Sequence, residues 1–465
     1  MLSLRRAAKT AFVYFAGNVL SKLVIFFLFP LYTVYINPAQ YGNYDLAYSI
    51  INLVAPIAFV QIWDALFRFS FDSQKSEDKY ALITNSFVVC MVGIFIYSIL
   101  MGIINQFMKF DYYLYILIYG LAFAFQYVYA YSARVFLNNT LYVFSGVLNT
   151  IVSVVLNVIL IVFFHWDVKA LYVSAVIGIV LQIIVIEWKL RLIKNFRIND
   201  IDFKIIQRMV KFSIPLCVAT ISYWLLSGYS RIIINNFVGE YEVGLYAVAN
   251  RLASIVTVVL SIFQFAWNEA AYLMAHDEDR KKIYKSFVDI LLKFMCWITA
   301  MLIIFIKIIF PFYIGPQYQD AVLIIPATII GVSANAVAAF ISTLFMTEKK
   351  TSFIMKSTVI ASIINVALSI FSARKFGVQG VVVTLMFSFI ILLLLRLWSM
   401  IKQQGVHLGK GFIFSLFSLL ISVILFYWIS NPFLLTILLI VLLIFALIDM
   451  RAILQMLMKK WKQEK

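Results

Sequence analysis

Charge is scarce in this sequence: Asp, Glu, Lys and Arg make up 13% of its 465 residues, against roughly a quarter in an ordinary soluble domain. A water-soluble fold of this length needs far more polar residues to cover its surface, so a soluble domain is excluded. Acidic residues are rarer than basic ones, 21 against 38, which leaves a net charge of +17. Cysteine is nearly absent, and Cys90, Cys217 and Cys296 each fall inside an apolar run, which excludes a disulfide framework or a zinc site. The three histidines, His165, His276 and His407, are isolated from one another in loops. No phosphate-cradling nucleotide loop is present, because Gly405, Gly409 and Lys410 are wrongly spaced and Gly411 stands where a hydroxyl is needed. With no His-Glu-x-x-His run, no Ser-His-Asp arrangement and no sizeable acidic external loop, ATP hydrolysis, metal-assisted hydrolysis and sugar transfer are all disfavoured.

Apolar residues make up 64% of the chain and aromatic residues 17%. Each membrane-spanning helix needs about 20 apolar residues, so there is room for roughly 14 spans and little else. The sequence therefore reads as an all-α polytopic membrane protein. Apolar runs between charged or Pro/Gly breaks predict spans over about 11–35, 43–67, 83–104, 112–133, 142–164, 168–187, 212–235, 243–272, 287–306, 320–346, 353–372, 378–398, 412–429 and 432–448. The N-terminal apolar segment is too long for the core of a signal peptide and reads as a retained first helix.

Basic residues settle the expected orientation. With the N-terminus inside, 28 of them lie in the cytoplasmic loops and tail, among them Arg68, Arg134, Lys194, Lys282, Arg396 and Lys460, while five lie in the outside loops. This asymmetry places both termini in the cytoplasm and accounts for the positive net charge without nucleic acid. The basic 188–211 stretch suits an anionic inner leaflet.

The expected organisation is a six-helix bundle over 1–187, a basic cytoplasmic linker over 188–211, a second six-helix bundle over 212–398, and two extra spans with a basic tail over 399–465. The halves resemble one another. At a shift of 202, Tyr41-Gly42-Asn43-Tyr44 falls on Val243-Gly244-Leu245-Tyr246, and at a shift of 208, Leu156-Asn157-Val158 falls on Ile364-Asn365-Val366. Six spans per copy is an even number, so the two copies share one orientation, as in transporters that rock two halves about a central site.

Five basic residues remain inside spans: Lys22, Arg231, Arg251, Lys293 and Lys356. A cation near a helix centre costs about 2.5–3.5 kcal/mol on insertion scales, so it faces a cavity or a partner. Lys293 and Lys356 lie close enough to a cytoplasmic end to snorkel; Lys22, Arg231 and Arg251 fit better as the lining of a hydrated cavity. Beside Arg251 runs a polar line of Asn250, Ser254, Thr257, Ser261, Gln264 and Asn268 on one helix face, and Lys356 begins a similar line of Thr358, Ser362, Asn365 and Ser369. Such lines serve helix packing as well as substrate contact. Among the acids, Asp64 lies one turn before Arg68 and invites a local ion pair, while Asp64 and Glu269 are both candidates for proton or sodium coupling. A net-positive membrane interior points to an anionic substrate such as a phosphate or pyrophosphate, whose oxygens an arginine grips in pairs. Prolines 30, 56, 215 and 326 are expected to interrupt spans 1, 2, 7 and 10.

The Lys211–Leu216 lead-in to span 7 (Lys-Phe-Ser-Ile-Pro-Leu) and the Tyr241–Ala249 lead-in to span 8 (Tyr-Glu-Val-Gly-Leu-Tyr-Ala-Val-Ala), with the two six-span halves and two terminal spans, resemble the multidrug/oligosaccharidyl-lipid/polysaccharide exporter superfamily. More narrowly, the chain resembles the bacterial polysaccharide transporters, the Wzx-type flippases of O-antigen and capsular repeat units. That resemblance implies two bundles in a V, with spans 1, 2, 7 and 8 lining a central cavity. It implies an undecaprenyl-pyrophosphate-linked oligosaccharide substrate, a location in the bacterial cytoplasmic membrane, no cofactor beyond a coupling proton or sodium ion, and partners among membrane lipids and polysaccharide polymerase or assembly proteins. Basic residues on those spans contact the substrate in related flippases, which here matches Lys22, Arg231 and Arg251, whereas span 2 departs from the pattern with Asp64. Spans 13 and 14 imply a lateral groove for the lipid tail. A cation-coupled multidrug antiporter of the same superfamily is the rival reading, with a lipid II flippase, a membrane-embedded glycosyltransferase and a non-transporting scaffold behind it.

Overall fold

The computed structural model describes residues 26–72, 75–261, 280–347, 351–404 and 411–451. The described chain is helical throughout, with no strand among these residues. In order, the helices are α1 (Phe26–Tyr35), α2 (Pro38–Ala58), α3 (Ile62–Phe69), α4 (Ser76–Met108), α5 (Tyr113–Val135), α6 (Asn139–Val158, closed by a π-helical turn at Ile159–Phe163), α7 (Lys169–Leu190) and α8 (Phe203–Ser227). Then follow α9 (Tyr229–Phe237), α10 (Glu240–Ser261, with a turn at Ser254), α11 (Arg280–Tyr313), α12 (Ile325–Thr347, preceded by a 3-10 segment at Pro316–Ile324), α13 (Thr351–Gln404), α14 (Gly411–Trp428) and α15 (Pro432–Asp449). Among the described residues ten helices are long and apolar enough to cross a membrane, or eleven when the bent pair α2–α3 counts as one span. The 54-residue α13 covers two expected spans, because Gly377 interrupts it at φ +59°, a conformation that glycine adopts at little cost.

Local signals set several boundaries. Asn37 caps α2 through its side-chain oxygen, which accepts from the Gln40 N–H at 2.9 Å, and Pro38 occupies the first turn, where no N–H is needed. Asn431 and Pro432 start α15 in the same way. Pro56 and Pro215 lie inside α2 and α8 as expected. Pro326 instead sits at the junction of the 3-10 segment and α12, where its missing N–H breaks no ladder bond, so it starts a helix there and interrupts none.

The chain forms two compact units, Met1–Trp224 and Leu225–Lys465. In the first, polar side chains join the helices. Gln182 accepts from Gln126 at 2.8 Å and from Asn149 at 3.0 Å, and Asn157 donates to the Tyr32 hydroxyl at 2.9 Å while accepting from Ser174. Inter-helix hydrogen bonds of this kind are worth about 0.6 kcal/mol each in lipid, where apolar contact drives no association. The basic stretch is tied down as well: Asn85 of α4 donates to the Asp200 carbonyl and accepts from the Asp202 N–H, both at 2.9 Å, and α8 begins within that stretch, at Phe203. Outside the spans, Asp167 accepts from Tyr112 at 3.2 Å and Gln40 at 3.3 Å; burial first, then this carboxylate, raises the Tyr112 phenol above its ordinary range.

In the second unit, Asn365 of α13 is fully buried and donates to the Leu226 carbonyl at 3.1 Å. Asn157 and Asn365 hold matching positions in the sequence repeat, and each ties its helix to the start of its own half. Two basic residues depart from expectation here. Arg396 is a buried helix residue of α13 and not a loop charge: its guanidinium donates to the Ala338 carbonyl at 2.7 Å, Thr358 Oγ1 at 3.0 Å and Ser357 Oγ at 3.3 Å. Lys293 does not simply snorkel. It pairs with Asp449 of α15 at 3.6 Å, and Trp297 donates to the same carboxylate at 3.0 Å. At the other end of α11, Lys307 donates to the Phe426 carbonyl of α14, so the last two helices are fastened to α11 at two points.

Candidate functional site

In the first unit the apolar run of span 2 predicts one helix, but the backbone breaks it. Val60 and Gln61 adopt left-handed φ values of +52° and +44°, and α3 leaves α2 at 53°. A β-branched residue in that region is strained by about 1–2 kcal/mol. Pro56 prepares the break by removing a ladder donor. One face of α8 holds the broken span: Ser213 donates to the Gln61 carbonyl, Cys217 to the Pro56 carbonyl, Gln61 Nε2 to Thr220 Oγ1, and Trp224 Nε1 to the Ser49 carbonyl at 2.8 Å. The four α8 positions are spaced 4, 3 and 4, so they share a face.

Past the break, Asp64 does not pair with Arg68. Arg68 bonds Asp72 at 3.1 Å, both being largely exposed. Asp64 is half-buried and lies within electrostatic reach of Tyr131 of α5 and of Arg134. The guanidinium of Arg134 stacks over Phe67 at 4.1 Å, with the Tyr131 and Tyr142 rings at 5.1 and 5.6 Å. Trp63, beside Asp64 in sequence, stacks on Tyr127 at 5.0 Å. Sequence reading assigns Arg134 to a loop; the spacing of Tyr127, Tyr131 and Arg134, 4 and 3, is the signal that groups them on one face of α5.

In the second unit, Arg231 and Arg251 sit on α9 and α10, both half-buried. Arg231 donates to the Ser227 carbonyl at 3.2 Å and stands over the Tyr246 ring at 5.3 Å. Tyr246, itself 1% exposed, lies on α10 little more than a turn before Arg251. The contact gives Arg231 a fixed aromatic bed and brings it to the helix that carries Arg251. Arg251 lies within electrostatic reach of Tyr313 on α11. Asn250, Ser254, Thr257 and Ser261 are half-buried, and the three hydroxyls turn back onto the backbone of their own helix at 2.6 Å, the usual habit of Ser and Thr in membrane helices. Lys356 is exposed, while the line that follows it is buried at Ser362, Asn365 and Ser369, where it packs helices together. Lys22, Gln264 and Glu269 lie outside the described residues.

Known proteins place this architecture. No curated protein matches the sequence significantly. The chain is similar in fold to an inward-closed structure of the lipid II flippase MurJ, at TM-score 0.69 and 15% identity, over 96% of this chain and 100% of that one. It is also similar to an inward-facing multidrug resistance MATE family transporter of the MOP superfamily, at TM-score 0.64 and 12% identity, over 84% of this chain and 94% of that one. Residues 7–267, more than half of the sequence, match the family described as polysaccharide biosynthesis protein. The chain belongs to this polysaccharide biosynthesis protein family, within the multidrug/oligosaccharidyl-lipid/polysaccharide exporter superfamily.

Proposed function

We propose that the protein is a flippase that carries undecaprenyl-pyrophosphate-linked oligosaccharide repeat units across the bacterial cytoplasmic membrane by alternating access, for O-antigen, capsule or exopolysaccharide synthesis. Both termini are cytoplasmic in this reading, and a polysaccharide polymerase or assembly protein takes up the product. The observation that carries the reading is the placement of Arg231 and Arg251, half-buried cations on successive helices of the second unit. Desolvated guanidinium groups are costly in a membrane and suit the paired oxygens of a pyrophosphate. Family membership supports a polysaccharide precursor as the cargo. An inside-negative potential favours export of the headgroup, at about 2.3 kcal/mol per charge per 100 mV. Lys22 and Gln264 complete the binding set, and Asp64 and Glu269 couple transport to a proton or sodium ion.

The multidrug antiporter reading needs an acid that receives a cation. That reading draws its acids from Asp64 and Glu269, whereas the half-buried charges on α9 and α10 are basic. The test is reconstitution in proteoliposomes, following leaflet accessibility of an undecaprenyl-pyrophosphate oligosaccharide, with lipid II and a cationic drug in parallel. The proposal predicts flipping of the oligosaccharide carrier. Drug uptake without flipping establishes the antiporter, and movement of lipid II alone establishes the cell-wall precursor as cargo.

A further inference from the structure

The proposed cargo carries sugars as well as phosphates, and the arginines account only for the phosphates. In the first unit, Tyr48 of α2 is 38% exposed and lies nearly parallel to two other rings: Tyr44 at 6.5 Å and 12°, and Tyr119 of α5 at 6.2 Å and 18°. Tyr44 and Tyr119 both close on Tyr172 edge to face, at 5.0 and 6.2 Å. The group fixes the orientation of the open Tyr48 ring before any ligand arrives.

Its neighbours on the same helix face are polar. Asp45 lies three residues before Tyr48 and Asn52 four residues after it, both half-buried. Asn52 donates its amide nitrogen to the Tyr48 carbonyl at 2.7 Å. Tyr48 lies five residues into the span expected at 43–67, about 7.5 Å from its outer end at 1.5 Å per residue.

An aromatic face flanked by hydrogen-bonding groups complements a pyranose ring, which offers polarised C–H groups on one face and hydroxyls around its rim. We propose that Tyr48, with Asn52 and Asp45, forms a sugar-binding platform that holds a pyranose of the oligosaccharide headgroup. The inference rests on the flippase reading above and adds a sugar contact distinct from the phosphate contacts.

The experiment uses the full-length protein in proteoliposomes and two probes: the lipid-linked oligosaccharide pool extracted from the producing cells, and undecaprenyl pyrophosphate without sugars. Tyr48→Ala is expected to lower flux of the oligosaccharide carrier about tenfold and leave the bare carrier unchanged, with Tyr48→Phe and Tyr48→Trp restoring flux. Asn52→Leu provides a second, independent variant should Tyr48→Ala fail to fold; it is expected to show the same selective loss. Equal loss on both probes, or no loss on either, overturns the platform. Failure of the wild-type protein to move either probe overturns the flippase reading itself, which separates the two claims.

Discussion

Gln61 donates its side-chain amide to the Thr220 hydroxyl, and this bond ties the broken part of span 2 to α8. Gln61 is buried and carries a left-handed backbone, so the bond holds in place a conformation the residue would otherwise leave. Thr220→Val removes the partner while keeping the shape. The expected cost is about 1 kcal/mol, the lower part of the range for an unsatisfied buried polar group. It would appear as a lower thermal midpoint in detergent, with Thr220→Ser close to wild type. An unchanged midpoint for Thr220→Val would show that the bond contributes nothing.

Val60 tests the strain directly. Its φ of +52° suits glycine, so Val60→Gly relieves about 1–2 kcal/mol of strain and loses about 0.5–1 kcal/mol to added unfolded-state freedom. The midpoint should hold or rise. Val60→Pro, which locks φ near −65°, should prevent the protein from reaching its fold, as measured by monodisperse yield on size exclusion.

Tyr97 and Gly120 form a close helix contact. A Cβ added at Gly120 would clash with Tyr97 Oη, and that hydroxyl is buried with no hydrogen-bond partner among the described residues. Gly120→Ala should therefore destabilise by about 1–3 kcal/mol. Tyr97→Phe removes an unsatisfied polar atom and should raise the midpoint. It should rescue Gly120→Ala only in part, because the ring carbon beneath the hydroxyl is also too close.

Lys293 and Asp449 fasten the last helix to α11. Lys293→Met leaves a largely buried carboxylate with Trp297 as its remaining partner among the described residues, at an expected cost of about 3 kcal/mol. The double variant Lys293→Met/Asp449→Leu should recover much of that loss, since no charge is then left stranded. A double variant as unstable as the single one would contradict a stabilising pair at this position.

Much of the helical architecture is legible in the sequence, because spanning helices are written as apolar runs: α4 to α7, α11, α14 and α15 all fall on expected segments. What the runs cannot show is a break made by backbone strain. Val60 and Gln61 are ordinary residues in an apolar stretch, and only Pro56 hints at the bend. Conversely, α13 runs through two expected spans because Gly377 interrupts the helix without a polar loop. Candidate charges are easy to locate and hard to pair. Asp64 lies one turn from Arg68, yet its partners come from α5, which sequence distance hides. The tyrosine group around Tyr48 draws on α2, α5 and α7, and no single helix pattern reveals it. Arg231 and Arg251 stand out from the beginning, because a guanidinium inside an apolar run is costly unless a cavity or a partner receives it.

The central claim is that these two arginines carry a pyrophosphate headgroup across the membrane. The most direct measurement is flipping of an undecaprenyl-pyrophosphate oligosaccharide in proteoliposomes containing wild-type, Arg231→Ala, Arg251→Ala and Arg251→Lys protein at matched folded amounts. Flux should fall at least about tenfold in each alanine variant. Arg251→Lys should retain part of it, since lysine keeps the charge and loses the paired geometry. Wild-type flux in Arg251→Ala, with the protein folded, would contradict the claim.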